Sequence, residues 1–260
     1  MSRPQRTNET RSLDRALLLA RLLASNIRLG WRISDLARAA ALELSTTHRL
    51  LRGLIDARMA FRIPGTHRYT LGPLAFELGL ATRVHHDLER PMGSALEAVA
   101  RRLGGTVYVM AWSGADTVCV ARQDGMAAPP GLMLELGGRR PLMQTAGGLA
   151  ILLELPEDER TRLLAINRKT LDTRDRALMA GIERMIERSE RAGHAVNLGD
   201  VVSGINATAV AVAQAPARLL GSVVFAQAGP PWANPQIEEI RDALQALAPA
   251  LLETWRGLRY

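Results

Sequence analysis

Recognisable arrangements of catalytic or metal-binding side chains are missing from this sequence of 260 residues. It contains no Gly-x-Ser-x-Gly nucleophile motif, no Walker phosphate-binding loop and no glycine-rich dinucleotide fingerprint. None of the five histidines has the His-x-x-x-His spacing of a helical metal site, and the adjacent His85 and His86 would point to different faces of a helix. A single cysteine, Cys119, excludes an internal disulfide and a cysteine-based zinc cluster. We therefore predict no catalytic residue, no metal site and no cofactor.

Arginines are the residues whose distribution indicates a function. Residues 1–72 contain thirteen arginines and five acidic residues, a net charge of +8, whereas the remaining chain has a net charge of −1. A general arginine bias of the genome, or a merely solvated basic face, is the alternative, but such a bias would spread along the whole chain. The localised charge predicts that the first quarter of the sequence binds a polyanion.

Three helices are predicted to carry this positive charge. Apolar residues at helical spacing predict the first helix over 12–25. Ser34 and Ser45 are suited to cap two further helices, over 35–40 and 45–57, because a serine side chain accepts hydrogen bonds from first-turn amides. In the third helix a stripe is predicted to be buried: Leu50, Leu51, Leu54 and Ile55.

A β-hairpin is predicted after the third helix. Alternating segments over 59–63 and 67–71 flank the turn Pro64-Gly65-Thr66. Three helices and a hairpin are typical of a winged helix-turn-helix, although a small protein-interaction module has similar helices. We predict that double-stranded DNA is the partner and that it contacts the following residues: Ser34, Arg38, Ser45, Thr46, Thr47, His48, Arg49, Arg52, Arg62, His67 and Arg68.

The rest of the chain predicts a linker helix and a second domain. A helix is predicted from Pro73, ended by Pro91, with a further helix to Leu103. Beyond it, strand-like and helical segments alternate: strands over 107–112, 117–121, 194–197, 206–213 and 219–226, and helices over 146–153, 156–166, 174–192 and 234–256. The predicted fold class is α+β, with a DNA-binding domain over 1–72, a linker helix over 73–90, and over 91–260 a mixed sheet covered by helices.

Nine short motifs, in this order, resemble those of the isocitrate lyase regulator (IclR) family of bacterial transcription factors. In the predicted DNA-binding domain they are Ser12–Ala16, Asp35–Arg38, Ser45–Leu51 and Tyr69–Gly72. In the second domain they are Gly137–Leu142, Thr145–Gly148, Gly193–Ala195, Asp200–Gly204 and Gly229-Pro230. Together they span almost the whole chain, and the third matches the family's recognition helix.

The sequence also departs from the family pattern. Leu149 replaces the usual lysine of the Ala-Gly-Lys-Ala motif, and Ala41 replaces the usual glycine of the helix-turn-helix turn. Ala226 and Ala228 stand where some relatives carry serine, and Asp200 is what remains of a common acidic pair. These differences concern the effector more than the DNA.

The resemblance implies a ligand-responsive transcription regulator without catalytic activity. It implies a second domain related to the GAF fold, assembly as a homodimer or a dimer of dimers, and effectors that are small organic or aromatic acids from catabolic pathways. No run of 18 apolar residues predicts a membrane span, and the cytoplasm is the expected compartment. The alternative is an enzyme or small-molecule-binding protein with an appended helix-turn-helix module.

An effector site is predicted at the start of the helix over 146–153. Its first-turn amides would suit a carboxylate, but its glycines could equally serve close packing against the sheet. The polar Asp200 and Asn206 flank Gly204, where a loop could fold over a cavity, although Asp200 could also simply cap a turn. The predicted effector-binding residues are Thr145, Ala146, Gly147, Asp200, Asn206, Ala207 and Ala226. Alanines in place of hydroxyls favour an aromatic or longer-chain acid over a small keto acid.

Overall fold

The computed structural model describes residues 8–27, 29–86, 89–126, 134–171, 175–214 and 218–257 of the chain. The chain divides into two compact units, Met1–Val84 and His85–Tyr260. This division falls inside the helix predicted over 73–90. The two units are described separately below.

The first unit is a winged helix-turn-helix, as predicted. Its helices are α1 (Asn8–Ser25), α2 (Ile33–Ala39), α3 (Leu44–Asp56) and α4 (Pro73–His86), the last of which runs two residues past the division. Its strands are β1 (Trp31–Arg32), β2 (Ala60–Arg62) and β3 (Arg68–Leu71), which form an antiparallel sheet in the order β1-β3-β2. Leu19 and Leu23 of α1 pack against Leu36 and Leu51, and of the stripe predicted for α3 only Leu51 is fully buried.

Ser34 and Ser45 do not cap helices, and these two predictions were wrong. Helix α2 begins at Ile33 after Arg32, and α3 begins at Leu44 after Glu43, with no side-chain cap in either case. Arg32 already has the extended backbone of an N-cap because it belongs to strand β1. Both serines therefore lie in the first turn of their helices.

The turn between α2 and α3 holds a non-glycine residue in the left-handed region. Ala41 has φ +52°, and the family that the sequence resembles usually has glycine at this position. An L-residue in this conformation brings its Cβ close to backbone oxygen. The connection is therefore strained at an exposed residue that makes no core contact.

Helix α4 starts at Pro73, as predicted, and residues 87 and 88 at the end of the predicted linker helix lie outside the described residues. Pro91 is not a helix end. It is the third residue of α5 (Glu89–Leu103), where the first turn needs no N–H partner.

The second unit is built on an antiparallel sheet, in the order β6-β5-β4-β9-β8-β7. Its strands are β4 (Thr106–Ser113), β5 (Asp116–Gln123), β6 (Arg139–Pro141), β7 (Ala195–Leu198), β8 (Ile205–Gln214) and β9 (Arg218–Ala228). The prediction of a mixed sheet was wrong, because every ladder between described strands is antiparallel. Short connections such as the one between β4 and β5 favour antiparallel neighbours.

Helices cover both faces of this sheet. Alternate residues of each strand face opposite sides, so Val223 and Phe225 pack under α5 and α9 (Asn234–Gly257), whereas Val224 and Ala226 face the other layer. That layer contains α6 (Ala146–Glu154), α7 (Glu157–Thr170) and α8 (Arg176–Ala192), which follow a 3-10 turn over Leu142–Gln144. Within the described part of the chain, the helices are too short or too polar to cross a membrane.

Candidate functional site

One face of α3 is exposed and carries the predicted DNA-contacting side chains. Ser45, His48, Arg49 and Arg52 recur three and four residues apart, and all four are exposed. Thr46 lies at the edge of this face and is half-buried. The helix therefore presents a polar, basic surface opposite the face that packs on α1 and α2.

Thr47 does not belong to this surface, and its prediction as a DNA contact was wrong. The residue is completely buried, and its Oγ1 donates a hydrogen bond to the carbonyl oxygen of Glu43 at 3.0 Å. It lies one helical turn before the buried Leu51, which places it on the core face.

The cations on this surface differ in their partners. None of the described carboxylates pairs with Arg49 or Arg52. On α2, Arg38 lies 3.5 Å from Asp35 but is 79% exposed, and Ser34 is also exposed. Exposed pairs of this kind are weak and exchange readily, so all of these groups are accessible to a polyanion.

The hairpin places Arg62 and His67 side by side. Arg62 donates from Nε to the carbonyl oxygen of Thr66 at 2.6 Å, and its Nη2 lies 2.8 Å from Nδ1 of His67. Arg68 is half-buried and donates from Nη1 to the carbonyl oxygen of Gly30 at 2.9 Å. Arg62 and His67 are therefore presented to solvent, whereas Arg68 also ties the hairpin to the loop before β1.

The second unit contains a cavity of about 240 Å³ between the sheet and the start of α6. Its lining is mainly apolar. The complete set of lining residues is Tyr108, Met110, Leu134, Arg140, Gln144, Thr145, Ala146, Gly147, Asn197, Val201, Val202, Ile205, Ala207, Val224 and Ala226. Five of the seven residues predicted for an effector site are in this lining, namely Thr145, Ala146, Gly147, Ala207 and Ala226.

The start of α6 is partly occupied by its own cap. Thr145 accepts a hydrogen bond from the amide of Gly148 at 2.9 Å, so that amide is not free for a ligand. The amides of Ala146 and Gly147 have no acceptor among the described residues. Two N–H donors therefore remain at the cavity.

Close packing explains both glycines of this helix. A Cβ at Gly148 would lie 2.0 Å from the carbonyl oxygen of Leu142, and one at Gly147 would lie 2.8 Å from Cγ2 of Val224. The packing role of the glycines is thus supported, and Gly147 borders the cavity as well. Leu149, at the position of the family's lysine, is buried in the core.

Arg140 is the cation of the cavity. Its Nη1 donates to the carbonyl oxygen of Arg139 at 2.8 Å, and no carboxylate in the described ranges pairs with it. Burial lowers the pKa of its guanidinium, but arginine stays protonated at any physiological pH. For the Tyr108 phenol, whose charged form is the deprotonated one, burial instead raises the pKa, and the phenol stays neutral. Among its described lining residues the cavity therefore combines one positive charge with a mainly apolar wall, to which Gln144, Thr145 and Asn197 add neutral polar groups.

Asp200 and Asn206 do not line the cavity, so the prediction that they border it was wrong. Asn206 follows Ile205 and precedes Ala207, which both face the cavity, and strand alternation turns it to the opposite side. There its Nδ2 donates to the carbonyl oxygens of Gly229 and Pro230, at 3.2 and 2.7 Å. The carboxylate of Asp200 instead pairs with Arg188 and Arg184 of α8.

Sequence reasoning missed Tyr108, Arg140, Gln144 and Asn197. Asn197 interrupts an apolar strand, which is the same signal that drew attention to Asn206. Arg140 gave no such signal, because two adjacent arginines in the sequence do not show which of them faces a cavity. In the structure Arg139 pairs with Asp116 at 3.2 Å, and Arg140 lines the cavity. In the part of the chain that the structure describes, no cluster of three His, Cys, Asp or Glu side chains could hold a metal ion.

Sequence comparison identifies both units. The IclR helix-turn-helix domain matches residues 12–62, and the bacterial transcriptional regulator IclR C-terminal domain matches residues 81–251. The glycerol operon regulatory protein of Streptomyces griseus is 30% identical over 216 residues, which cover 82% of each chain. The transcriptional repressor AllR of Klebsiella pneumoniae is 27% identical over 188 residues, which cover 69% of this chain and 66% of AllR.

Solved structures share the fold. An IclR transcriptional regulator from a Silicibacter species superposes with a TM-score of 0.71 at 22% identity, covering 96% of this chain and 97% of that one. An IclR homologue from Microbacterium hydrocarbonoxydans, complexed with 4-hydroxybenzoate, has a TM-score of 0.61 at 20% identity, with coverage of 95% and 99%. From the two matching domains, which together cover most of its length, we conclude that this chain belongs to the IclR family of bacterial transcriptional regulators.

Proposed function

We propose that this regulator controls a catabolic operon and that its effector is an organic acid, with aromatic acids preferred. The observation that carries this proposal is Arg140, a cation in a mainly apolar cavity that has no carboxylate partner among the described residues. A charge that is partly removed from water is stabilised by an opposite charge, so a carboxylate ligand complements this half-buried guanidinium. An enzyme with an appended helix-turn-helix is not favoured, because the relatives are transcriptional regulators.

The acid would bind with its carboxylate at Arg140 and at the first-turn amides of Ala146 and Gly147. Charge-assisted hydrogen bonds of this kind are stronger than neutral ones. Ala207 and Ala226 would leave room for an apolar body on the sheet side. The complex of the Microbacterium homologue with 4-hydroxybenzoate supports an aromatic acid as the first probe, and the cavity suits a ligand below drug size, since drug-sized sites are roughly 300–1,000 Å³.

Helix α3 would recognise the operator sequence, and the hairpin would make additional contacts with the DNA. The exposed face of α3, with Thr46 at its edge, would enter the major groove, and Arg62, His67 and Arg68 would contact phosphates or the minor groove. We retain the assignment of residues 1–72 to DNA binding, 73–90 to a linker helix and 91–260 to effector binding. The start of α4 at Pro73 supports the first of these boundaries.

A homodimer, alone or paired as a dimer of dimers, would be the DNA-binding assembly. Large apolar side chains are exposed on two helices of the first unit: Leu13 and Leu17 on α1, and Phe76 and Leu80 on α4. Burying them against a second copy would remove apolar surface from water. Sedimentation equilibrium at micromolar concentration should give at least a dimer, and a monomer that still binds one half-site specifically would contradict this assembly.

Replacing Arg140 tests the effector assignment. Calorimetric titration of the full chain with 4-hydroxybenzoate, hexanoate and pyruvate should give binding strongest for the aromatic acid. Arg140→Met should weaken it roughly 10- to 100-fold, because a hydrogen bond to a charged group is lost. The neutral 4-hydroxybenzamide should lose less than about threefold with the same variant, because it carries no charge for Arg140 to stabilise.

Arg162→Met is the matched control, since Arg162 is an exposed arginine of α7 that pairs with Glu159 outside the cavity. The same acids should change the affinity for an operator selected from a random duplex library. Absence of acid binding by the unaltered protein, or equal losses for acid and amide, would contradict an anionic effector.

A further inference from the structure

Asp200 carries a buried carboxylate that the proposed effector contacts do not use. Its side chain is 4% exposed and lies on the loop between β7 and β8, facing α8. Arg188 donates to both carboxylate oxygens, with Nη2 at 3.3 Å from Oδ1, and Nε of Arg184 lies 3.5 Å from Oδ1. The amide of Leu198 donates to Oδ2 at 3.0 Å. Two arginines of one helix therefore hold one loop carboxylate.

The same loop forms a wall of the cavity. Asn197 lies in β7, two residues before the loop begins at Gly199, and Val201 and Val202 follow Asp200. Asn197, Val201 and Val202 all line the cavity. The amide of Asp200 donates to Oδ1 of Asn197 at 2.9 Å, while Nδ2 of Asn197 has no acceptor among the described residues. Because Oδ1 is occupied by an N–H donor, Asn197 presents its NH2 group as a donor at the cavity.

Backbone contacts strengthen the link between this loop and α8. At Gly181 of α8 a Cβ would lie only 1.9 Å from the carbonyl oxygen of Asp200, so the helix and the loop touch at that point. The hydroxyl of Ser189 accepts a hydrogen bond from the amide of Val196 in β7 at 3.0 Å. Glycines with positive φ flank the loop, Gly199 at +79° and Gly204 at +75°. The loop thus begins and ends with a glycine in the left-handed conformation, and its charged anchor lies next to the first of them.

We propose that Asp200 is a positioning residue of the effector site, which holds the Asn197 amide and the Val201–Val202 wall in place through its ion pairs with α8. It does not touch the effector. By this arrangement the occupancy of the cavity and the position of α8 are coupled, because the same loop serves both. The inference rests on the proposed function, since it requires a ligand in this cavity.

The ionisation of Asp200 agrees with such an anchor. Burial by itself would raise the pKa of its carboxyl. The hydrogen bonds from Arg188 and Leu198 and the charges of Arg188 and Arg184 outweigh burial, and they hold the pKa below its ordinary value. The carboxylate therefore stays charged throughout the pH range in which binding is measured.

Calorimetric titration of the full chain with 4-hydroxybenzoate tests the anchor. Asp200→Asn should weaken binding about tenfold, an effect within the range of residues that act on a ligand indirectly. Arg188→Met should weaken it similarly, and the double variant should be no weaker than either single one, because both remove the same interaction. In an Asn197→Ala background, Asp200→Asn should have a smaller effect than in the unaltered protein.

Glu183→Gln is the matched control, because it removes another carboxylate–arginine pair of α8, with Arg168 at 2.9 Å, away from the loop. It should leave the dissociation constant unchanged. If Asp200→Asn does not fold, Arg188→Met and Arg184→Gln carry the test, the second with a smaller loss of about threefold.

Three outcomes would overturn the inference. Variants with a lowered melting temperature but an unchanged dissociation constant would show that the anchor is structural only. Additive losses in the double variant would show that Asp200 and Arg188 do not act together. Absence of binding by the unaltered protein would instead reject the proposed effector class, and the positioning role with it, whereas the first two outcomes leave the effector class intact.

Discussion

The two units use charge in opposite surroundings. In the first, Arg49, Arg52 and Arg62 stand in solvent without a carboxylate partner among the described residues. In the second, the charge at the cavity and the charge on its neighbouring loop are shielded from solvent. Arg140 is half-buried, and the carboxylate of Asp200 is almost completely buried beside two arginines.

This difference determines how each charge acts. Exposed cations are screened by salt, so they act together and through their number, which suits a partner with a regular array of phosphates. Shielded charges interact more strongly because the surrounding dielectric constant is low. A single shielded charge can therefore determine whether an anionic or a cationic ligand binds, or hold one loop in place. A single substitution should therefore cost most in the second unit and least in the first.

The largest effect is expected for Asp200→Asn on stability. It removes a buried carboxylate from two partly exposed arginines, and it should lower the free energy of unfolding by about 3 kcal/mol at pH 7. Because folding lowers the pKa of Asp200, its contribution is present above the unfolded value of about 3.9 and is lost as the pH falls through the folded pKa. Urea denaturation at pH 7 and pH 3 should show the gap between variant and parent shrinking in acid.

Glu183→Gln removes an exposed ion pair between α8 and Arg168 of α7, and it should lower the free energy of unfolding by less than about 1 kcal/mol at either pH. An equal cost for both variants would remove the distinction between shielded and exposed charge.

A smaller effect is expected for Arg49→Ala on operator recognition. If Arg49 makes a bidentate contact with guanine, its loss should cost roughly 1–3 kcal/mol for the operator and reduce the preference over mutated sites. Fluorescence anisotropy at fixed salt measures both quantities. Uniform weakening on all sequences would assign Arg49 to a phosphate, and an unchanged operator affinity would remove it from the interface.

The hairpin should show the salt-dependent effect of single exposed charges. Arg62→Gln should reduce the slope of log affinity against log salt by about 0.9, the value for one phosphate contact. Arg68→Gln should change the slope less and also destabilise the first unit, because Arg68 is bonded to Gly30. A slope that stays the same in both variants would mean that the hairpin does not contact DNA.

The smallest effect is expected at a residue without charge. Ala41→Gly should raise the stability of the first unit by about 0.5–1 kcal/mol, because the left-handed backbone at φ +52° costs alanine more than glycine. Thermal unfolding should show a small increase in melting temperature and no change in DNA affinity. Ala39→Gly, on the exposed side of the preceding helix, is the control and should be destabilising.

Most elements were predictable because their signals are local. The hairpin over 59–71 has a Pro-Gly turn between alternating segments, and the α6 start at Thr145 has a cap within three residues. Helix caps failed at Ser34 and Ser45 because a preceding extended residue, Arg32 or Glu43, already supplied the required backbone.

The cavity was predictable where a local signal marked its residues. Residues 145–147 open a helix, and Ala207 and Ala226 are small residues of predicted strands, whereas Tyr108 and Arg140 lie in strands whose sequence does not show that they face this side of the sheet. Asn206 and Asp200 were wrongly assigned to the cavity, because the sequence shows that they are polar but not to which side their side chains point. Strand alternation around Asn206 depends on the exact strand start, and the partners of Asp200 lie on a helix upstream.

The order of the large sheet has a consequence for protein synthesis. Strand β4 pairs with β9, so Thr106 meets Ala226 only after more than a hundred further residues have been made. At roughly 5–20 residues per second, β4 waits on the order of ten seconds for its neighbour. The first unit has all of its own strands and helices well before then. A nascent or prematurely terminated chain thus completes the unit proposed to read the operator before the proposed effector domain is complete. Nonsense mutations ahead of β9 should therefore yield fragments that the proposed effector does not regulate.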